Sequence, residues 1–413
     1  MWPAILAVLI AFVASRYFRG RLFADQEMLA IGAIVYVALP FVAFENNWLT
    51  EMPGVQSWRD LFKSAQDRRV AIAALFLAIA VAYLLGREMA GATAARLGSA
   101  MNRPLSRPIV GAAALGLWVI WAATAVTNRA SFFQGYSIDY DTGLLGNLAT
   151  INLLALAIVL SCRQYKRKGT GYRSLCGLLL VNSIALLSLG GRMYVIIPIV
   201  GILLQSLSAT RSMQSRLRSF IGLVMVMSVL LVVGVVRIDA DFSLDFIVYI
   251  GLAEGLFTSM SLGSFIENNG LPAWAVPFNF FGSIVNFVPS ALLPNKAELI
   301  PTVQQAGLYF ESPLGATHLY VALLGNFGWA GSLAFSAGLG WLLGAVRRVS
   351  PSGWWLYFYL CSLLPFMFFR DGFSIFNKAA FFNCVLLWLL YVFDRFLVAA
   401  LRPLPAVPAA AAK

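Results

Sequence analysis

Continuous apolar stretches separated by short polar segments dominate the pattern of the chain. Eleven of them approach or reach the length of a membrane-spanning helix. They cover residues 1–15, 28–44, 70–86, 109–127, 144–162, 174–189, 193–208, 220–236, 316–345, 352–369 and 379–398. The runs are uninterrupted, whereas strands of a membrane barrel alternate apolar and polar residues over about ten positions. The pattern therefore predicts an all-α fold, a polytopic helical membrane protein with about eleven transmembrane helices.

One long segment, residues 237–315, interrupts this pattern between the eighth and ninth predicted helices. It contains two apolar portions, 242–266 and 274–293. Two prolines within the second portion, and a third directly after it, prevent it from being one continuous helix. If both portions crossed the membrane, the turn 267–270 between them would bring an acid and no base to the cytoplasm. The sequence therefore predicts a large periplasmic loop that carries interfacial or re-entrant helices.

No second domain is visible, so the whole chain, 1–413, is predicted to be a single integral membrane domain. Its Pro- and Ala-rich tail, 403–413, is expected to be disordered. The stretch 316–345 is about 45 Å long as a helix, which exceeds the bilayer core. Gly325 and Gly328, with a third glycine at 331, predict a kink or a closely packed face there.

Charge divides the chain between the two sides of the membrane. With the N-terminus outside, the cytoplasmic loops and the C-terminal end hold 20 Lys/Arg and 4 acids, and the opposite side holds 10 Lys/Arg and 14 acids. The positive-inside rule predicts this asymmetry. Topology thus explains the net charge of +12, and nucleic acid is not expected as a partner. The four cysteines lie within spans or at their ends, so no disulfide is expected.

Three arginines fall at helix ends on the less basic side. Gly190 and Gly191 form a tight turn that fixes Arg192 at the start of a helix. Arg237 ends the eighth predicted helix and Arg370 ends the tenth. Each arginine alone has a simpler explanation, because its side chain can snorkel to lipid headgroups. Together, planar guanidinium groups at one membrane face suit a pyrophosphate and the charge that develops when it leaves.

Few side chains at the same face are suited to acid–base chemistry. His318 is the single histidine and can take a proton from an attacking hydroxyl near neutral pH. Glu254, on a narrow stripe of small residues, is the second candidate base. The alternatives are a capping role for His318 and an ion pair with arginine for Glu254. Lys296, Glu311 and Asp371 complete the candidate ligands of phosphate or sugar.

Motifs of other chemistries are missing from the sequence. There is no glycine-rich phosphate loop and no Cys/His cluster, and a single histidine excludes a multi-histidine metal site. Asp-x-Asp, which some glycosyltransferases use for a metal, occurs at 139–141 and 239–241, but in loops where acids are common. The sequence therefore predicts no metal and no cofactor.

Three motifs, in chain order, resemble those of a known family. They are Gly190-Gly191-Arg192, the run Phe287-Val288-Pro289-Ser290-Ala291-Leu292-Leu293-Pro294-Asn295-Lys296, and Glu311-Ser312-Pro313 followed by His318 and Gly325-Asn326-Phe327-Gly328-Trp329-Ala330-Gly331. Over residues 185–345 the chain thus resembles the O-antigen polymerases, the Wzy-type oligosaccharide repeat-unit polymerases of bacterial inner membranes. It departs from them at Ser290, where arginine is frequent, and at Ala297, where proline is usual. Asn326 stands where the related O-antigen ligases tend to have glutamate, which favours a polymerase.

The resemblance implies a metal-independent glycosyltransferase in the bacterial inner membrane, with its active site facing the periplasm. A growing glycan would pass from undecaprenyl pyrophosphate to an incoming lipid-linked repeat unit, with a chain-length regulator as a further partner. On this hypothesis the three helix-end arginines bind the pyrophosphate, and His318, or else Glu254, activates the acceptor hydroxyl. The remaining candidates, Lys296, Glu311 and Asp371, bind phosphate or orient the sugars and arginines.

Two other functions stay open at this point. An O-antigen ligase would use the same donor and transfer its glycan to lipid A core, and the sequence does not reveal the acceptor. A flippase for lipid-linked oligosaccharide would place ionisable groups near the bilayer midplane and show paired repeats. The candidate charges instead fall at helix ends and no repeat is visible, which favours an enzyme.

Overall fold

The computed structural model is helical and has no strand within the residues that it describes. These residues are 1–20, 22–48, 52, 55, 58–90, 104–133, 142–210, 212–237, 243–288, 293, 295, 298–305, 307–311, 317–348 and 354–400. The α-helices are α1 Trp2–Phe18, α2 Asp25–Ala33, α3 Leu39–Glu45, α4 Arg59–Asp67, α5 Arg69–Met89, α6 Arg107–Thr127, α7 Thr142–Gln164, α8 Thr170–Ser188, α9 Arg192–Ala209, α10 Met213–Arg237, α11 Leu244–Asn269, α12 Phe278–Gly282, α13 Leu319–Arg348, α14 Trp354–Leu363, α15 Gly372–Asn377 and α16 Asn383–Ala400. The predicted all-α class is confirmed.

Ten helical segments in the described part of the chain are long and apolar enough to cross a membrane. Nine of them coincide with predicted spans, and the other two predicted spans correspond to the shorter apolar helices Trp2–Phe18 and Trp354–Phe368. The multi-pass helical character is therefore confirmed. The tenth segment, Asp245–Asn269, lies within α11, in the part of the chain that the sequence assigns to the large loop.

Two prolines shape the helices that later form the candidate site. A π-helical segment, Ile34–Ala38, joins α2 and α3 into one helix. Pro40 has no N–H to donate to the carbonyl of Tyr36, four residues earlier, so a helical hydrogen bond is missing there. Pro198, inside α9, likewise cannot bond the carbonyl of Tyr194. Each tyrosine therefore has a carbonyl that a side chain from another helix can use.

The long helices run between two ends of the bundle, which we name after Arg216 and Arg192. At the Arg216 end, the start of α10 is tied to the end of α1 by hydrogen bonds between Arg216 and Tyr17. The helices α5, α7, α9 and α13 also end here, and α2, α6, α8 and α14 begin here. The Arg192 end is opposite, where α9 begins.

A buried ionic network joins three helices at the Arg216 end. Asp25 accepts hydrogen bonds from Arg87 Nε, from Tyr83 and from Tyr357, each at 2.6 Å. The side chains of Asp25 and Arg87 are only 1% and 9% exposed. The network thereby ties α2 to α5 and α14 through one carboxylate.

Asp25→Ala is expected to destabilise the protein by about 3–5 kcal/mol, because Arg87 loses its main counter-ion while it stays buried. Thermal unfolding of the purified protein in detergent would show this as a lower Tm. Asp60→Ala is the matched control, since the Asp60 side chain is 98% exposed and its removal should leave the Tm unchanged. An Asp25→Ala protein with the wild-type Tm would show that the network does not stabilise the fold.

The thirty-residue helix α13 is interrupted at Gly328, as the glycine pattern predicts. There φ is 65° and ψ is −179°, a conformation that favours glycine. The N–H groups of Trp329 and Ala330 donate to the carbonyls of Pro272 and Ala273, at 2.8 and 3.3 Å. The segment between α11 and α12 thus supplies the acceptors that the broken helix lacks.

Helix α11 contacts the Arg192 end of the bundle at both of its own ends. Near its start, Ile250 lies against Gly234, close to the end of α10. Near its end, Glu267 accepts a hydrogen bond from Ser64 of α4, which leads directly into the start of α5. A helix that begins and ends at the same side of the bundle lies across it. The second apolar portion forms only α12 and a 3₁₀ turn, Ser283–Phe287.

Candidate functional site

Five side chains from four parts of the chain meet toward the Arg192 end, and we call them the Arg370 cluster. Arg370 Nε lies 3.5 Å from Oε2 of Glu254, and its Nη1 lies 3.1 Å from Oδ1 of Asp371. Tyr36 donates a hydrogen bond to Glu254 and Tyr194 donates one to Asp371, both at 3.3 Å. One guanidinium therefore lies between two carboxylates, and each carboxylate is oriented by a tyrosine.

The two carbonyls left unbonded by proline fix these tyrosines in place. The carbonyl of Tyr36 is 3.1 Å from Nε2 of His318 and accepts a second hydrogen bond from Ser259, at 3.2 Å. The carbonyl of Tyr194 accepts a hydrogen bond from the buried amide of Asn152, at 2.9 Å. Backbone atoms thus hold the tyrosines, which leaves their hydroxyl groups for the carboxylates.

His318 has no free ring nitrogen in this conformation. Its Nδ1 accepts the N–H of Tyr320 at 3.0 Å and therefore carries no proton, so Nε2 carries the proton and donates to the carbonyl of Tyr36. Its own backbone N–H donates to Ser261 at 3.2 Å, and the side chain is completely buried. The neutral imidazole fastens the start of α13 to α11 and to the helix of Tyr36. The structure thus places this candidate base where it cannot accept a proton from a substrate.

Arg192 faces a small cavity of 130 Å³ that Tyr36 and Glu254 also line. Its guanidinium packs against Gly234 of α10, where an added Cβ would lie 2.3 Å from Nη1. Glycine at 234 therefore leaves the space that the arginine occupies. Among the described residues no carboxylate pairs with Arg192. The cavity is thus lined by the guanidinium of Arg192 and by the carboxylate of Glu254, whose ion-pair partner is Arg370.

An apolar groove lies next to this cavity, between α1, α2, α9 and α10. It has a volume of 450 Å³, and its walls are almost wholly aliphatic and aromatic side chains. The cavity and the groove share four lining residues, which are Val35, Ile196, Met227 and Phe366. A compartment that contains charged groups at the Arg192 end therefore lies beside an apolar one within the bundle.

The two acids of the Arg370 cluster differ in how far they are exposed to solvent. The Asp371 side chain is only 5% exposed, whereas that of Glu254 is 36% exposed. Burial raises the pKa of Asp371 to about 6, and the positive charge of Arg370 opposes the shift. The carboxyl group of Asp371 therefore takes up a proton at a higher pH than an ordinary aspartate does.

The structure brings Arg192, Arg370, Glu254 and Asp371 together, but it does not bring Glu311 to them. The backbone N–H of Glu311 donates to Ser264, which is ten residues along α11 from Glu254. Ten residues correspond to about 15 Å of helix. Glu311 therefore lies well away from the Arg370 cluster.

Several other candidates fall outside the described residues. Arg237 is the last residue of α10, but its side chain is not among those described. Lys296 and the two Asp-x-Asp pairs, at 139–141 and 239–241, are also outside. Within the described ranges, no group of three or more His, Cys, Asp or Glu residues is arranged to hold a metal ion.

Sequence reasoning missed the two tyrosines of the cluster. Tyrosines are frequent in the apolar stretches, and nothing in their hydropathy separates Tyr36 and Tyr194 from the rest. A signal was nevertheless present, because each is followed four residues later by a proline within an apolar stretch, at Pro40 and Pro198. That spacing marks a carbonyl without its helical partner, and such a carbonyl recruits a polar side chain.

Comparison of the chain with protein-family models, with curated proteins and with solved structures finds no match.

Proposed function

We propose that the protein is a membrane glycosyltransferase that polymerises undecaprenyl-pyrophosphate-linked oligosaccharide repeat units into O-antigen or a related surface polysaccharide. The main observation is that the cavity of Arg192 and Glu254 lies next to an apolar groove and shares four lining residues with it. A guanidinium without an ion-pair partner among the described residues, beside an apolar groove, suits an amphiphile with an anionic head. A polyprenyl pyrophosphate is such a molecule, and the O-antigen-polymerase resemblance points to the same substrate.

In the proposed reaction, the oxygen of the acceptor hydroxyl attacks the anomeric carbon of the donor's first sugar. The new glycosidic bond forms as the bond from that carbon to the pyrophosphate oxygen breaks, and undecaprenyl pyrophosphate leaves with the electron pair. The hydroxyl proton passes to Glu254, because His318 has both nitrogens bonded. Arg192 and Arg370 stabilise the charge on the leaving group. Asp371 positions Arg370 and does not touch the reacting atoms.

Binding of the donor would prepare the base in this scheme. In the structure, the guanidinium of Arg370 lies 3.5 Å from the Glu254 carboxylate. A pyrophosphate carries more negative charge than one carboxylate and competes for the same guanidinium. When Arg370 turns to the pyrophosphate, it breaks its ion pair with Glu254, and the Glu254 carboxylate can then accept a proton. The base therefore becomes active only when a donor is bound.

The proposed orientation places the Arg192 end in the periplasm of a bacterial inner membrane. Described basic residues at the opposite end include Arg87, Arg107, Arg167 and Arg216, and the positive-inside rule assigns such an end to the cytoplasm. Helix α11, with both ends on the periplasmic side, is then an interfacial or re-entrant helix rather than a spanning one.

Incubation of the purified protein with undecaprenyl-pyrophosphate-linked repeat units, followed by separation of the products by size, tests the proposal. Polymer of increasing length supports it. Transfer of glycan only to added lipid A core would identify an O-antigen ligase, which uses the same donor. Movement of lipid-linked units across a liposome membrane without new glycosidic bonds would identify a transporter and overturn the enzyme proposal.

The pH dependence of polymer synthesis should report on Asp371. Because burial raises the pKa of Asp371 to about 6, this carboxylate is ionised above pH 6. As the pH falls below 6 it becomes protonated and loses its ion pair with Arg370. We expect the rate to decline between pH 7.5 and 5 with an inflection near 6, measured as initial rates. Asp371→Asn should have a lower rate and lack this inflection. An inflection that persists in Asp371→Asn would assign the titration to another group.

A further inference from the structure

A second charged cavity lies at the Arg216 end, far from the Arg370 cluster. It has a volume of 630 Å³ and forms where α7 ends and α6 and α8 begin. Its lining includes four cations, Arg107, Lys166, Arg167 and Lys168, and no acid. This volume lies within the range of small-molecule sites. The cavity plays no part in the proposed glycosyl transfer.

The backbone around this cavity is held in a defined shape. Lys166 has a left-handed conformation, with φ of 55°, and the N–H of Arg167 donates to the carbonyl of Cys162 at 2.8 Å. Arg167 Nη1 also donates to the carbonyl of Leu105 at 3.1 Å, which joins the end of α7 to the segment before α6. The cavity wall is therefore fixed by hydrogen bonds and is not only a gap between loops.

The start of α8 adds a second source of positive potential. Its N-cap is Gly169, which has no side chain to cap the helix, and its first turn holds no acid. The N–H groups of an uncapped first turn attract anions. Gly171 packs against the backbone of Gly111 in α6, where an added Cβ would lie 3.0 Å from the nitrogen. Close helix packing thus directs this first turn toward the four cations.

One carboxylate, that of Asp394, lies near the rim, and one of its two oxygens is hydrogen-bonded. Asp394 accepts the backbone N–H of Ser106 at 3.0 Å, at the start of α6. Among the described residues, no carboxylate forms an ion pair with the four cations of the cavity. Their charge is therefore left for a ligand.

We propose that this cavity binds the phosphate headgroup of an anionic phospholipid. The two helices that begin at the cavity present exposed apolar side chains further along, Leu115 and Val119 on α6 and Leu180 and Ile184 on α8. Each pair has helical i, i+4 spacing, so it forms a stripe on which an acyl chain can lie. A free phosphate compound would use only the cations. Basic pockets between membrane helices bind acidic headgroups in this way.

Native mass spectrometry of the purified protein with phosphatidylglycerol or phosphatidylethanolamine tests this proposal without any glycosyl-transfer assay. The test variant is Arg107→Gln/Lys166→Gln/Lys168→Gln. The control, Arg19→Gln/Arg173→Gln/Arg218→Gln, removes the same charge from exposed arginines near the same end that do not line the cavity. We expect wild type and control to retain phosphatidylglycerol, and the test variant to bind it roughly tenfold or more weakly.

Three results would overturn the proposal. Equal loss of phosphatidylglycerol from the test and control variants would show that lipid binding depends on the total charge of this end and not on the cavity. Equal retention of the two lipids by wild type would show that no anionic headgroup is selected. Binding of inorganic pyrophosphate that is lost in the test variant, without selection between lipids, would make the cavity a site for soluble phosphates. Thermal unfolding of each variant separates lost binding from lost folding.

Discussion

Under the proposed function, replacing Arg192 by alanine is expected to lower the rate of polymer synthesis by roughly a hundredfold or more, because it removes a guanidinium that would stabilise the leaving pyrophosphate. Arg192 faces the cavity shared with Glu254 and has no carboxylate partner among the described residues, so its charge is available to a substrate. Arg192→Lys should retain part of the rate, because lysine keeps the charge but not the planar fork that bonds two phosphate oxygens. Initial rates with a lipid-linked donor measure both effects.

Arg129→Ala is the control for Arg192→Ala. Arg129 follows α6 at the same end of the bundle and is exposed outside the cavity. Its removal takes away the same charge and should leave the rate unchanged. Equal rates for Arg192→Ala and wild type, with both proteins folded, would exclude Arg192 from the reaction. Equal losses in Arg192→Ala and Arg129→Ala would indicate a general effect of surface charge.

Glu254→Ala is expected to lower polymer synthesis by about two to four orders of magnitude, the range associated with a general base. Formate should restore part of the rate in Glu254→Ala, because a small carboxylate can enter the space that the side chain leaves. Glu254→Gln should be as slow and should not respond to formate, since the amide fills that space. Donor binding should be retained in both variants, because the arginines are unchanged.

His318→Gln separates the two candidate bases. The His318 ring is hydrogen-bonded to the backbone of Tyr36 and Tyr320, so its replacement should lower the Tm. The protein that remains folded should keep most of its rate. A folded His318→Gln protein without activity, together with an active Glu254→Gln protein, would return the base role to histidine. A rate in Glu254→Ala that does not change with formate would argue against Glu254 as a proton acceptor.

The sequence predicts the helices well because spanning helices are long, continuous apolar runs that differ sharply from their polar connections. It does not predict the path of α11. The segment Asp245–Asn269 is long and apolar enough to cross a membrane, and charge in its following turn is the main sequence argument against crossing. The contacts of Ile250 with α10 and of Glu267 with α4 are long-range, and no local pattern specifies them.

The site is predictable in part for a related reason. Arg192 and Arg370 are noticeable because a charge at an outer helix end stands out against apolar neighbours. The role of His318 is not predictable, because a sequence does not show which groups will bond its two nitrogens. Tyr36 and Tyr194 can be recognised only in two steps. The proline four residues later leaves each carbonyl without its helical hydrogen bond, and a buried carbonyl then needs another partner.

The hydrogen bond from the His318 N–H to Ser261 joins the two ends of the chain segment between them and so closes it into a loop. His318 also binds the carbonyl of Tyr36, whose hydroxyl donates to Glu254. The closure free energy of such a loop rises by only about 0.6 kcal/mol for each doubling of its length. Under the proposed function, insertions in the parts of this segment that do not contact α13 therefore cost little loop-closure free energy, and they leave the positions of Tyr36 and Glu254 unchanged.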